Sequence, residues 1–108
     1  MIADDGYLKL IDFGFAKKLE ENKYLFSLKG TIEYVAPEVL GGKHNHNVDW
    51  WSLGIIIYEM LIGITPFFDK NEVKVLNRIQ GANPKFPDRD KYNIEYSDDI
   101  KDLIEKLL

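Results

Sequence analysis

Asn47-Val48-Asp49-Trp50-Trp51-Ser52-Leu53-Gly54-Ile55-Ile56-Ile57-Tyr58-Glu59-Met60-Leu61-Ile62-Gly63 is the stretch on which the fold turns. Asn47 suits an N-cap, and the residues from Val48 to about Ile62 predict a helix that Gly63 and Pro66 close. Its apolar residues surround the axis on all sides, the pattern of a helix buried in a larger core. A membrane span is a poor alternative. The apolar run from Ser52 to Ile64 contains Glu59 and falls several residues short of the roughly 20 needed to cross a bilayer. Glu59 is costly in such a helix unless paired, so it calls for a partner such as Lys or Arg.

Outward from this helix the chain reads as mainly α with a short N-terminal β-hairpin. Residues 1–12 suggest two short strands around the Asp5-Gly6 turn, with Leu8 and Leu10 on one face. Phe15 to Lys29 shows neither a 2-residue nor a 3.6-residue period and reads as a long surface loop. Pro37 opens a short helix through Leu40, and Gly41-Gly42 stops it. A further helix is expected from Asp69 or Asn71 to Gln80, with Val73, Leu76 and Ile79 on one face and Gly81 as terminator. Residues 82–96 read as irregular. Ser97 then caps a helix over 97–108 striped by Ile100, Leu103, Ile104, Leu107 and Leu108.

The 108 residues allow one domain at most and enough chain to bury a core. Net charge is −4, and the 14 basic residues are scattered, which argues against a nucleic-acid partner and fits a basic peptide better. With no cysteine, a disulfide framework and a Cys-ligated zinc site are excluded, and no secretory signal opens the chain. The chain reads as cytoplasmic. His44 and His46 stand one residue apart in a polar loop without a third ligand, so they read as solvated histidines rather than metal ligands.

Three short motifs follow one another: Asp12-Phe13-Gly14, Ala36-Pro37-Glu38, and Val48-Asp49-Trp50-Trp51-Ser52-Leu53-Gly54. A strand, D-F-G, a long loop, A-P-E and a buried D-x-W-x-x-G helix together resemble the C-terminal lobe of a eukaryotic protein kinase. The wording Asp12-Phe13-Gly14-Phe15-Ala16-Lys17, Gly30-Thr31-Ile32-Glu33-Tyr34-Val35-Ala36-Pro37-Glu38 and Val48-Asp49-Trp50-Trp51 is similar to the AGC group, which includes the cyclic-nucleotide-dependent kinases. The resemblance makes residues 1–108 a partial catalytic domain. It consists of a hairpin to D-F-G at 1–12, an activation segment at 12–38, a buried helix at 47–63, a helix at 69–80 and a truncated helix at 97–108.

The resemblance also implies roles. Asp12 would hold Mg2+ beside the phosphates of ATP, because a hard cation that bridges phosphates takes a carboxylate oxygen. Phe13 would be a movable apolar plug and Gly14 the hinge. Thr31 matches the threonine that bonds the catalytic aspartate in serine/threonine kinases. Ser27 falls at the activating phosphosite, where phosphate could order the loop by pairing with arginine. Glu33 and Glu59 match positions that receive a substrate arginine in basophilic members. Leu28, Ile32 and Val35 would line the pocket for the residue after the acceptor, with Ile32 in place of a common proline. Glu38 and Asp49 match scaffold residues whose partners, a later arginine and the catalytic-loop backbone, lie outside the chain.

The function this implies is part of an ATP-dependent protein serine/threonine kinase acting on proteins with basic residues near the acceptor. An upstream activating kinase and a regulatory subunit or domain would be its further partners. The sequence holds no G-x-G-x-x-G loop, V-A-I-K lysine, H-R-D aspartate or catalytic-loop asparagine, so the chain alone is expected to be inactive. The alternative is a non-catalytic element that docks a substrate or a kinase partner.

Overall fold

A computed structural model describes residues 1–20, 24–25 and 30–108. Its elements run in the order 3-10 turn Ile32–Tyr34, α1 Pro37–Leu40, α2 Val48–Ile62, α3 Glu72–Gly81, α4 Arg89–Tyr92 and α5 Asp98–Leu107. The chain is therefore mostly helical, with almost no strand. The expected hairpin shrinks to one antiparallel bridge, Ile2 with Leu8, closed by Ala3 N–H to Tyr7 O at 2.9 Å and Lys9 N–H to Met1 O at 2.9 Å. Leu8 and Leu10 are both exposed, so no core face holds a longer ladder in register.

Helix α2 organises everything else. Gly63 terminates it with φ of +88°, a left-handed conformation that suits glycine, and its N–H donates to Glu59 O at 2.8 Å. Trp51 and Ile55 project from one side into a core shared with Val35, Ala36 and Val39 around α1, Phe67 beyond the turn, and Val75 and Ile79 of α3. Trp51 and Phe67 stack with ring centroids 5.6 Å apart. Each fully buried side chain of this size contributes about 1.5–3 kcal/mol. Gly54 lets α5 come close: a Cβ there would stand 2.9 Å from Leu107 Cβ. Ser52 Oγ donates to Tyr34 O at 2.9 Å and so ties α2 to the 3-10 turn.

The helix over Val48–Ile62 is apolar all round in sequence, and within these residues only one side of it is buried, with Trp50, Leu53, Ile56 and Met60 exposed. Other expectations need correction. Asn47 does not cap this helix. Its backbone is already right-handed helical and its side chain makes no cap bond, because Asn45 Oδ1 takes the Asn47 N–H at 2.9 Å and starts the turn two residues early. Asn71 does cap α3, accepting from Val73 N–H at 2.9 Å. The buried stripe of that helix is Val75 and Ile79, while Val73 faces solvent.

The segment 82–96 is not wholly irregular. Asp88 accepts from Lys91 N–H at 3.0 Å and caps the single turn of α4. Phe86 lies between Tyr58 and Tyr96, at 5.3 and 5.6 Å between ring centroids, and Tyr58 donates its hydroxyl to Lys85 O at 2.6 Å. This second aromatic cluster fastens the segment to α2. Ser97 caps α5, accepting from Ile100 N–H at 3.2 Å. No helix is long and apolar enough to cross a membrane among the described residues.

Candidate functional site

Asp12 ends the extended stretch after the bridge with φ of +62°, in the left-handed region that a non-glycine residue rarely adopts. Aspartate tolerates it because the short carboxylate can bond locally, and here Gly14 N–H donates to Asp12 Oδ1 at 3.2 Å. A Cβ on Gly14 would lie 3.2 Å from that same oxygen, so the position accommodates glycine best. Ala16 N–H returns to Phe13 O at 3.0 Å and completes a tight double turn. Asp12 and Phe13 are both exposed, and Asp12 Oδ2 makes no bond among the described residues. Backbone strain held at one exposed carboxylate is the kind found where a ligand is held.

This arrangement fits one corner of a divalent-cation site. A hard oxygen is available, but no group of three His, Cys, Asp or Glu that could hold a metal occurs among the described residues.

A second cluster forms where the 3-10 turn meets the end of α2. Tyr34 donates its hydroxyl to Glu59 Oε2 at 2.7 Å, and Thr65 Oγ1 donates to Glu33 Oε2 at 3.2 Å. The two carboxylates are half-buried, and neither forms an ion pair with Lys or Arg among the described residues. The bond to Glu59 pushes the Tyr34 phenol up to about 12, with burial, the Glu59 charge and the Glu33 charge adding in the same direction. Glu59 thus has an internal partner, a neutral phenol rather than the Lys or Arg that the sequence suggests. A neutral donor orients the carboxylate and leaves its charge uncompensated.

The protein kinase domain family matches residues 1–108. The chain is 43% identical over its whole length to the cAMP-dependent protein kinase catalytic subunit of Dictyostelium discoideum. It is 48% identical over 96% of its length to the human cAMP-dependent protein kinase catalytic subunit PRKX. With the cAMP-dependent protein kinase type 3 of Saccharomyces cerevisiae it shares 42% over its whole length. The chain belongs to the protein kinase family. Its likeness within that family is to the AGC type, and it spans between 16% and 27% of the length of these three relatives.

In this kinase segment Thr31 precedes the 3-10 turn with its side chain exposed and making no cap bond, so its hydroxyl is open to a further partner. Ile32 is half-buried, whereas Val35 packs in the core. Ser27 and Leu28 lie outside the described residues. Glu38 and Asp49 stand in the first turns of α1 and α2, exposed and without a partner among the described residues.

His46 is exposed, but His44 is not the solvated histidine expected. It is 7% exposed, its backbone exchanges bonds with Leu25 at 2.8 and 3.2 Å, and Nδ1 has no partner among the described residues. Lys43 beside it lies 4.1 Å from the Tyr24 ring centroid. This docking of residues 24–25 on the loop after α1 has no periodic signal in the sequence, nor does the Thr65 bond, which joins residues 32 apart.

Proposed function

We propose that this chain is the activation segment and substrate-facing part of a serine/threonine protein kinase that acts on proteins with arginine near the acceptor. The observation that carries this reading is the pair Glu33 and Glu59. Both are half-buried and oriented by a hydroxyl, and neither has a cation among the described residues. A carboxylate held in that state is completed by an incoming guanidinium, whose fork matches its two oxygens. Thr31, exposed and making no cap bond, two and three residues before Glu33 and Tyr34, is proposed to meet the acceptor side of the catalytic machinery. Ile32 contributes a part-exposed apolar wall beside it, and Ser27 is the proposed site of activating phosphorylation.

Asp12 would hold Mg2+ through one carboxylate oxygen, and the metal would supply dispersal of negative charge on the phosphates of ATP. Gly14 keeps that carboxylate clear of a neighbouring side chain, and Phe13, exposed beside it, would be the movable apolar plug. The 108 residues carry no glycine-rich loop, strand lysine, H-R-D aspartate or catalytic-loop asparagine, so transfer requires residues beyond them. Relatives named as catalytic subunits of a cAMP-dependent kinase support a regulatory subunit or domain as partner. An upstream activating kinase and a cytoplasmic place of action belong to the same proposal.

The test is peptide phosphorylation by the complete kinase domain that carries this segment. A serine peptide with arginines before the acceptor should be used well. Its alanine-for-arginine counterpart, or the Glu59→Gln enzyme on the original peptide, should lose about 10- to 100-fold in kcat/KM. Equal use of both peptides by wild type and Glu59→Gln overturns the arginine reading.

A further inference from the structure

Thr65 is 3% exposed, lies in the turn between α2 and α3, and gives its only described side-chain bond to Glu33. The turn is fixed from both ends. Gly63 ends α2 in the left-handed conformation, Phe67 is sunk in the core against Trp51, and Phe68 N–H closes onto Thr65 O at 3.3 Å. β-branching restricts the side chain, and burial with the bond to Glu33 holds its hydroxyl there. We infer that Thr65 is the positioning residue that fixes the Glu33 carboxylate for a guanidinium, an inference that rests on the arginine reading above.

The physical case is one of mutual constraint. A hydroxyl this deeply buried is left unsatisfied if Glu33 swings away, and Glu33 loses its only described donor. Oε2 is therefore pinned by one bond and keeps a second acceptor site, and Oε1 makes no bond among the described residues, so both oxygens can take an incoming fork. The orientation matters most for a planar fork. Arginine needs both oxygens presented in one plane, whereas the lysine ammonium acts as a compact charge that follows a carboxylate wherever it turns. Thr65 thus favours arginine over lysine at the Glu33 subsite without itself touching substrate.

The experiment compares Thr65→Val, Thr65→Ser and Glu33→Gln in the complete kinase domain, with matched arginine and lysine peptides. Valine keeps the shape and removes the donor, so KM for the arginine peptide should rise about 5- to 10-fold with kcat unchanged, and KM for the lysine peptide less than about 2-fold. Serine restores the donor and should return KM to within about 2-fold of wild type. In the Glu33→Gln background, Thr65→Val should add nothing further. The inference is overturned if Thr65→Val raises both KM values alike, lowers kcat instead, or costs the same whether or not Glu33 is present. If Glu33→Gln itself leaves the arginine peptide's KM unchanged, the arginine reading of Glu33 fails first and the role of Thr65 falls with it.

Discussion

Tyr34 shows how a single hydroxyl can serve a carboxylate and record its presence. Donation to Glu59 raises the phenol from its ordinary 10.0 to about 12, so the folded chain keeps a proton that the unfolded chain releases. The resulting stabilisation is fully present below pH 10.0 and fades as pH rises toward about 12. The stability difference between wild type and Tyr34→Phe, measured by denaturant unfolding, should be constant up to that window and shrink within it. Glu59→Gln should return the Tyr34 phenol toward its ordinary value in an ultraviolet titration, and an unchanged curve would contradict the bond. At this scale the sequence signalled that Glu59 needs a partner, because a charge in an apolar helix cannot stand alone. It did not signal which partner, since a phenol 25 residues earlier carries no charge to reveal the pairing. Thr65 was silent for the same reason.

Helices were more legible than their junctions. The span of α2 follows from its continuous apolar run and Gly63, and α5 from Ser97 and its stripe, since these signals are local. Asn47 misled because Asn45 captured its N–H first, and α4 was hidden because one turn has no period to read. Gly54 carries the contact between α2 and α5. Alanine there gains about 1 kcal/mol in helix propensity but drives a methyl into Leu107 Cβ, an atom that moves only with its backbone. Overpacking of this kind costs about 1–3 kcal/mol, so Gly54→Ala should lower Tm by several degrees in a thermal melt followed by circular dichroism. A raised Tm would mean that α5 does not dock at Gly54. Asn71→Ala should cost about 1 kcal/mol through its lost cap on α3, read as a lower denaturant midpoint.

Over the whole molecule, a Cα radius of gyration of 15.3 Å exceeds the ~13 Å expected of a compact domain this size. The excess has a visible source. Leu10 is 89% exposed, Met60 73% and Phe13 69%, and residues 4–18 all face solvent. Apolar surface of this extent is normally covered by other protein. The 108 residues by themselves should bind an apolar fluorescent dye and self-associate, whereas a monodisperse, dye-silent chain would mean that these side chains find cover within it. The reading of the whole as a kinase segment was legible from three motifs in order. Asp12 is the residue proposed for Mg2+, with a left-handed backbone and an oxygen that makes no bond among the described residues. The most direct test is transfer of radiolabelled phosphate from ATP to an arginine-containing serine peptide by the complete kinase domain and its Asp12→Ala form. The account predicts a loss of at least about 10³-fold in the variant, and equal rates would contradict it.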